Sequence, residues 1–375
     1  MIYREFQDLS LSALGLGMMR LPVLDGNESR IDEAAAMELV DRAMAQGINY
    51  YDTAWGYHGG NSELTAGKAL SRYPRQSYYL ATKFPGYDLS NFGKTKEIFE
   101  RQLEKCQTEY FDFYLFHNVC EMNIDAYLNP DYGTFDYLME QRKNGRICHL
   151  GFSCHGDLDV LRRFLDAYGE HMEFCQLQIN WFDWEFQKGK EKYELLQSMG
   201  IPVWIMEPLR GGKLANLGEE FMARLRALRP DESAAGWSFR FLQSLPGAKM
   251  ILSGMSSMEQ LEQNLATFAT DEPLSEAEIA VLLEIARDMA GRTTVPCTGC
   301  RYCTTYCPME LDIPRLLELY NEHVFTGGGF LAPMAIGTLP EEKRPSACIG
   351  CGACAAVCPQ SIDIPGALAD FCERL

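Results

Sequence analysis

The amino-acid sequence predicts an α/β fold in which a (β/α)8 barrel, or TIM barrel, is followed by a small, mainly α-helical domain. Three observations lead to this prediction. Short apolar runs of strand length alternate with helix-length segments over about 290 residues, as in a barrel of parallel strands. Polar residues stand at the ends of several of these runs. Beyond them, eight of the 14 cysteines repeat one spacing twice.

The barrel is predicted to occupy residues 1–290 and the cysteine-rich domain residues 291–375, with 291–296 as a linker. Residues 2–11 alternate in the manner of a hairpin that would cap the barrel floor. The near-continuous apolar runs that follow fit parallel strands covered on both faces. The predicted barrel strands are 14–17, 48–51, 78–82, 111–116, 147–153, 174–179, 203–206 and 250–253. The predicted helices are 32–46, 62–70, 94–108, 134–144, 157–168, 189–199, 231–243 and 275–290.

The bulk composition restricts the class of protein. With 375 residues and 47% apolar residues, the chain can form one large domain and a small one. A net charge of −18 argues against nucleic acid or an anionic membrane as partners, because both require a basic surface. No apolar stretch is long enough to span a bilayer, and residues 1–6 lack the features of a signal peptide. We therefore expect a cytoplasmic protein without structural disulfides.

Four polar residues follow or end three successive strand-like runs. Asp52 closes the run 48–51 and Tyr57 lies five residues further on, while Lys83 and His117 end the next two runs. Taken singly, each residue has an ordinary explanation, such as a helix cap, a solvated lysine or a core histidine. Together they would meet at the C-terminal face of a parallel barrel, where such folds place their chemistry.

In this order and setting, Asp52, Tyr57, Lys83 and His117 resemble the catalytic tetrad of the aldo-keto reductases. The segments 60–63 and 67–70 also resemble that family, and the likeness extends from about residue 14 to about residue 268. The resemblance implies carbonyl reduction or alcohol oxidation, with Tyr57 as the general acid. Lys83 would lower the pKa of the phenol, and Asp52 would hold Lys83 charged. His117 would orient the substrate oxygen or share the proton.

The same resemblance implies a nicotinamide site. Ser153 and Gln176 match positions that hold the carboxamide, although Cys154 replaces the usual Asn and Met206 replaces the aromatic residue that stacks on the ring. One loop resembles the pyrophosphate loop and another the adenosine loop. The implied loop residues are Arg210, Gly211, Gly212 and Lys213 in the first, and Ser253, Gly254, Met255, Gln260, Gln263 and Asn264 in the second.

The sequence leaves the choice of cofactor open. Gly254 and Gln260 stand where many relatives place cations for the 2′-phosphate of NADP. Their absence weakens the case for NADP(H) over NAD(H). A flavin bound in the mouth of the barrel also remains open as an alternative.

The repeated cysteine motif, Cys-Xaa2-Cys-Xaa2-Cys-Xaa3-Cys-Pro, predicts two [4Fe–4S] clusters. Its two copies resemble bacterial two-cluster ferredoxins, specifically a helical variety, because an Asp-Ile-Pro segment after each copy opens a helix, predicted at 316–320 and 367–371. In such ferredoxins the fourth cysteine ligates the other cluster. The expected ligand sets are Cys297, Cys300, Cys303 with Cys358, and Cys348, Cys351, Cys354 with Cys307. Zinc is the rival interpretation, but it gives no role to the third cysteine.

The sequence therefore predicts an oxidoreductase that interconverts a small carbonyl compound and its alcohol, with two [4Fe–4S] clusters in a ferredoxin-like domain for electron transfer. An external electron carrier is a further partner that the clusters would allow. One alternative is an electron-transfer protein whose barrel is a binding module. Another is a reductase whose clusters are structural.

Overall fold

A computed structural model of the chain describes residues 1–297 and 299–375. The chain divides into two compact units, Met1–Leu283 and Glu284–Leu375. Among the described residues, no helix is both long enough and apolar enough to cross a membrane.

The first unit contains the predicted barrel. In the described part of the chain, eight parallel strands close into a ring in the order β10-β3-β4-β5-β6-β7-β8-β9. Their bounds are β3 Leu14–Gly17, β4 Tyr50–Asp52, β5 Tyr79–Phe84, β6 Phe111–Val119, β7 Ile147–Cys154, β8 Cys175–Gln178, β9 Val203–Met206 and β10 Ala248–Ser253. A strand forms at each of the eight predicted positions, although β6 continues two residues past His117.

Helices follow the strands and cover the barrel from outside. They are α1 Glu33–Ala45, α2 Ser62–Leu70, α3 Thr95–Cys106, α4 Ile124–Leu128, α5 Thr134–Lys143, α6 Leu158–Tyr168, α7 Asp183–Phe186, α8 Gly189–Ser198, α9 Glu219–Arg226, α10 Ala234–Gln243, α11 Met258–Thr267 and α12 Glu276–Thr293. Helices α4, α7, α9 and α11 were not predicted. Helix α12 continues three residues beyond the predicted end at residue 290, into the predicted linker.

The predicted hairpin forms and closes the end of the barrel at which the strands begin. Strands β1 Tyr3–Phe6 and β2 Leu9–Ser12 pair antiparallel. Phe6 and Leu11 are buried in one cluster with Phe113 and Trp204, which stand near the starts of β6 and β9. The ring of Phe6 lies 4.9 Å from that of Trp204 in an edge-on contact. The opposite end of the barrel, where the strands finish, is thus the end left for a site.

The second unit is built from short helices around its own core. The helices are α13 Ile313–Thr326, α14 Leu331–Gly337, α15 Ala353–Ala356 and α16 Ile364–Arg374. Asp312 and Asp363 are the N-cap residues of α13 and α16, with a proline in the first turn of each, as the sequence indicated. Both helices are longer than predicted. Helix α14 lies between the two cysteine motifs, in a segment for which no helix was predicted.

One glycine allows two outer helices to approach closely behind the site. A Cβ atom added at Gly67 in α2 would meet the backbone oxygen of Lys105 and lie 3.0 Å from Cys106 Cα in α3. Backbone atoms cannot move aside as a flexible side chain can. We therefore expect Gly67→Ala to destabilise the barrel by about 1–3 kcal/mol through overpacking.

The five tryptophans all lie between positions 55 and 237, so their fluorescence during urea unfolding reports the barrel alone. Gly218→Ala is the matched control, because nothing lies within 4 Å of its added Cβ and its φ of −61° suits alanine. Equal unfolding midpoints for the two variants would contradict the expected clash.

Candidate active site and cysteine-lined cavities

A buried ion pair joins the ends of β4 and β5. Lys83 Nζ lies 2.6 Å from Asp52 Oδ1 and donates a second hydrogen bond of 2.8 Å to the Thr53 carbonyl oxygen. The two side chains are 0% and 4% exposed. Burial lowers the pKa of Lys83, but the Asp52 carboxylate and Tyr57 raise it by more, so the net direction is upward. The lysine is therefore positively charged at neutral pH, as the sequence predicted.

Tyr57 lies beside this ammonium group at the mouth of the barrel. Its hydroxyl is 3.5 Å from Lys83 Nζ, which also sits 5.0 Å from the centre of the phenol ring. We expected Lys83 to lower the pKa of the phenol. Lys83 does act in that direction, but burial outweighs it and the pKa of Tyr57 is raised overall. The hydroxyl thus carries its proton at neutral pH, as a general acid must.

His117 faces Tyr57 from β6. The two rings are 6.0 Å apart and nearly perpendicular, and the ring of Tyr87 lies 5.3 Å away on another side. Burial holds the pKa of His117 well below its usual value, and the charges of Lys83 and His155 lower it further. The imidazole is therefore neutral. Its Nδ1 atom is buried and has no hydrogen-bond partner among the described residues.

A buried polar network between the outer helices and β5 holds the backbone of Lys83 in place. Glu63 Oε1 accepts hydrogen bonds from Thr82 Oγ1 at 2.7 Å and from Gln102 Nε2 at 2.8 Å. Gln102 Nε2 also donates to the Lys83 carbonyl oxygen at 2.9 Å, and Lys105 Nζ pairs with Glu63 Oε2 at 2.7 Å. In the sequence, the segment 60–63 was distinguished only by its resemblance to the family. In the structure, Glu63 of this segment accepts the hydrogen bonds that hold the network together. It links α2 and α3 to the strand that carries the lysine.

Tyr57 and Asp52 open onto a cavity of about 340 Å³. This volume is within the usual range of small-molecule sites. Most residues of the implied nicotinamide site line it, namely Gln176, Met206, Gly211, Gly212, Ser253, Gly254, Met255, Gln260, Gln263 and Asn264. The Oε1 atom of Gln176 is buried without a hydrogen-bond partner among the described residues, as an acceptor awaiting a ligand amide would be. The structure thus brings together residues from four separate segments of the sequence.

Three residues of the implied nicotinamide site, Ser153, Arg210 and Lys213, are not among the described residues that line the cavity. Ser153 Oγ instead accepts a hydrogen bond of 2.7 Å from the Asn118 amide. Arg210 Nε is 2.9 Å from Asp183 Oδ1 in a buried ion pair. The Asp183 carboxylate neutralises much of the positive charge of Arg210. Arg210 is therefore poorly suited to bind a phosphate group of the cofactor.

The cavity also contains two charged residues that the sequence reading did not single out, Arg20 and Glu207. Among the described residues that line it, Arg20 is the one basic side chain. Glu207 pairs with it at 3.3 Å, between Arg20 Nη2 and Glu207 Oε1. Arg20 follows the end of β3 by three residues, and Glu207 directly follows β9. Their positions after barrel strands were the signal that could have identified them.

In the described part of the second unit, two cavities are lined by four cysteines each. Cys297, Cys300, Cys303 and Cys358 line one, and Cys307, Cys348, Cys351 and Cys354 line the other. Equivalent cysteines of the two motifs have the same exposure. The third of each motif is buried, the second is exposed, and the first and fourth are half-buried. Each cavity therefore receives three cysteines from one motif and the last cysteine of the other.

The chemistry of these cavities suits a bound cationic cluster. Burial, followed by the neighbouring Cys297, Cys354 and Cys300, raises the pKa of the Cys303 thiol to about 11. Crowded thiolates of this kind need positive charge among them. Among residues 1–297 and 299–375, no group of three or more His, Cys, Asp or Glu side chains could hold a metal ion directly.

Comparison with known proteins identifies the family. The model of the aldo/keto reductase family matches residues 13–287. The chain belongs to the aldo/keto reductase family. A second model, a 4Fe-4S dicluster domain, matches residues 296–362. The protein is thus an aldo/keto reductase family oxidoreductase that carries a 4Fe-4S dicluster domain.

Similar proteins cover the barrel part of this family member. A curated relative, the NADH-specific methylglyoxal reductase of Escherichia coli (strain K12), is 25% identical over 74% of this chain and 96% of the relative. The L-galactose dehydrogenase of Arabidopsis thaliana is 26% identical over 75% of this chain and 93% of the relative. Among solved structures, aldo-keto reductase AKR11C1 from Bacillus halodurans (holo form) superposes with a TM-score of 0.63, at 26% identity, over 76% of this chain and 96% of that one.

Two histidines of this aldo/keto reductase barrel, His117 and His155, predict a pH dependence of its stability. The pKa of His117 lies well below the usual value, and burial together with Lys192 lowers that of His155 to about 4. In the unfolded chain both histidines have a pKa near 6.5. Below that pH the unfolded state therefore binds protons that the folded state does not bind. Stability should therefore fall as the pH drops, by about 1.4 kcal/mol per histidine between pH 7.5 and 5.5.

Urea unfolding followed by tryptophan fluorescence at several pH values measures this loss. His117→Asn should make the loss smaller by about 1.4 kcal/mol. The comparison uses only the change in the free energy of unfolding with pH. Any effect of the substitution that does not depend on pH therefore cancels. A slope equal to that of the unmodified chain would show that His117 is protonated in the folded state.

Proposed function

We propose that this protein interconverts a small carbonyl compound and its alcohol in the barrel, with a nicotinamide cofactor, and holds two [4Fe–4S] clusters in its second unit for electron transfer. One observation carries the proposal. The protonated Tyr57 hydroxyl lies 3.5 Å from the charged Lys83, the Tyr57 ring lies 6.0 Å from the ring of the neutral His117, and Tyr57 lines a cavity that Gln176 and Met206 also line.

The side chains of the site supply acid–base chemistry. Reduction of a carbonyl requires a proton on oxygen, and Tyr57 is the donor that the geometry offers. Lys83, kept charged by Asp52, stabilises the phenolate that remains after the transfer. His117, being neutral, can bind the substrate oxygen without placing a second positive charge beside Lys83. In the oxidation direction the same groups act in reverse.

The lining of the cavity supports a nicotinamide dinucleotide as the hydride carrier. Gln176 would bind the carboxamide and Met206 would pack against the ring, while the loops at Gly211 and Gly254 would hold the phosphates and the adenosine. When bound, the nicotinamide supplies or accepts the hydride. The E. coli relative is named for its specificity for NADH, and Arg20 is the one basic side chain among the described lining residues. We therefore propose weak discrimination between NAD(H) and NADP(H).

The eight cysteines that line the two cavities are the proposed ligands of the clusters. Each cluster would pass one electron at a time, so the pair together matches a two-electron reaction at a nicotinamide or a carbonyl. The clusters would also allow exchange with an external electron carrier. Since each cavity uses cysteines of both motifs, the two halves of this unit should assemble together.

Tyr57→Phe should abolish carbonyl turnover while binding of the dinucleotide survives. The change removes the proton donor alone, because the residues proposed to hold the nucleotide lie elsewhere in the cavity. General acid catalysis contributes about 10²–10⁴-fold, so the loss in kcat should be of that size. Steady-state kinetics and calorimetric titration of the nucleotide measure the two properties separately.

Tyr87→Phe is the matched control. The ring of Tyr87 also packs against that of His117, but Tyr87 has no proposed role in the transfer of the proton. We expect it to keep turnover within about tenfold. Unchanged turnover in Tyr57→Phe would remove this residue from the mechanism.

Purification without oxygen should yield about eight irons and eight acid-labile sulfides per chain, the content of two cubane clusters. Cys307→Ser should selectively damage the cluster in the cavity of Cys348, Cys351 and Cys354, because Cys307 lines that cavity. Iron and sulfide analysis with electron paramagnetic resonance of the reduced protein measures both effects.

Cys372→Ser is the control, since this exposed cysteine is absent from the described lining of both cavities. It should leave the iron content unchanged. Stoichiometric zinc with little iron would overturn the cluster assignment. Loss of the first-motif cluster alone in Cys307→Ser would overturn the exchange of fourth ligands.

A further inference from the structure

A carboxylate occupies the proposed phosphate end of the barrel cavity. Glu207 Oε2 accepts a hydrogen bond of 2.7 Å from the Gly211 amide, and its Oε1 atom lies 3.3 Å from Arg20 Nη2. Glu207 has a φ of +53°, which a residue with a side chain seldom adopts. Its carbonyl oxygen accepts a hydrogen bond of 3.0 Å from Asn180 Nδ2, which holds this backbone in place. A strained residue at a ligand loop is a reason to look for a function.

Arg20 extends across the cavity between the two glycine loops. A Cβ atom added at Gly254 would lie 3.1–3.2 Å from the Cβ, Cγ and Cδ atoms of Arg20, and one added at Gly211 would lie 3.5 Å from its Nη2 atom. The aliphatic part of Arg20 therefore lies against the Gly254 loop, and its guanidinium group reaches the Gly211 loop. The contact at Gly254 is close enough that a side chain there would require Arg20 to shift.

The backbone on both sides of Arg20 is fixed. Ser256 Oγ donates a hydrogen bond of 2.7 Å to the Arg20 carbonyl oxygen. His58, the neighbour of Tyr57, accepts one of 3.1 Å at Nε2 from the Leu21 amide. Its Nδ1 atom lies 2.6 Å from the Glu28 carbonyl oxygen, to which it donates in this tautomer. The backbone that carries Arg20 is thus held in place close to the candidate active site.

The partners of Glu207 are the donors that a phosphate group uses. A guanidinium group and a backbone amide in a glycine-rich turn are the usual ligands of phosphate oxygens. Here both donors already bind the carboxylate. Of the two carboxylates among the described lining residues, Asp52 is paired with Lys83, whereas Glu207 faces the space where a pyrophosphate would lie. The Glu207 carboxylate would repel the negative charges of a pyrophosphate group placed beside it.

We propose that Glu207 is a resident anion that occupies the pyrophosphate position of the free protein and must give up Arg20 and the Gly211 amide when a dinucleotide binds. This inference rests on the proposed function, since it assumes a nucleotide in this cavity. It assigns Arg20 as the residue that binds the pyrophosphate and Glu207 as the residue that weakens binding and speeds release.

The test measures binding rather than activity. Isothermal titration of the intact, cluster-loaded protein with NAD+, NADP+ and inorganic pyrophosphate gives Kd values for the wild type, Glu207→Gln and Arg20→Gln. Glutamine keeps the shape of Glu207 and a hydrogen-bond acceptor for Gly211, but removes the competing charge. Glu207→Gln should tighten binding of all three probes by about tenfold, whereas Arg20→Gln should weaken it by a similar factor.

Glu104→Gln is the matched control, because it removes the same charge from an exposed ion pair with Arg101 on α3. Its Kd values should equal those of the wild type. If the dinucleotides bind but Glu207→Gln leaves every Kd unchanged, this inference is wrong and the proposed cofactor stands. If pyrophosphate binds more tightly to Glu207→Gln while no dinucleotide binds to any form, the anion site stands and the nicotinamide proposal fails. If none of the three probes binds to any form, both are wrong.

Discussion

The buried ion pair between Asp52 and Lys83 is the interaction on which the active site depends. Removing one partner of such a pair leaves an uncompensated charge inside the protein, at a cost of about 3–5 kcal/mol. The pair forms because β4 and β5 are neighbours whose ends are in register, with Asp52 opposite Ala81 and Lys83 two residues further along β5. Tyr57 lies beside the ammonium group, and the neutral His117 faces Tyr57. The ion pair at the centre of the candidate site thus follows from one strand register.

The pair in turn depends on helices outside the barrel. The fully buried Glu63 on α2 binds Thr82, Gln102 and Lys105, so it ties both outer helices to the strand that carries Lys83. The same two helices approach each other closely at Gly67, one turn further along α2. A buried polar network is stabilising when its members are satisfied, and the same network also restrains the position of the lysine.

The sequence predicted the barrel from the alternation of apolar runs with helix-length segments, and it placed Asp52, Lys83 and His117 together because each stands at the end of such a run. The four residues of the tetrad were identified by their resemblance to the family. It could not predict contacts that local patterns do not encode. Arg20 and Glu207 lie 187 positions apart and meet only when β3 and β9 flank β10 in the closed ring. The burial of Arg210 against Asp183 depends likewise on tertiary packing. Short helices such as α4 and α7 were missed because four or five residues carry too little periodicity. The boundary at residue 290 and the roles of the site residues stay predictions.

The two ends of the cavity contain the same kind of pair, a carboxylate with a cation, but in different surroundings. Asp52 and Lys83 are 4% and 0% exposed, whereas Glu207 and Arg20 are 28% and 46% exposed. Water and salt screen the second pair, which limits its strength to about 1 kcal/mol or less. An exposed pair of this kind could exchange its carboxylate for a phosphate at little cost, as we propose for Glu207, whereas opening the buried pair would leave an uncompensated charge inside the protein. The difference in burial alone therefore makes one pair permanent and the other open to exchange.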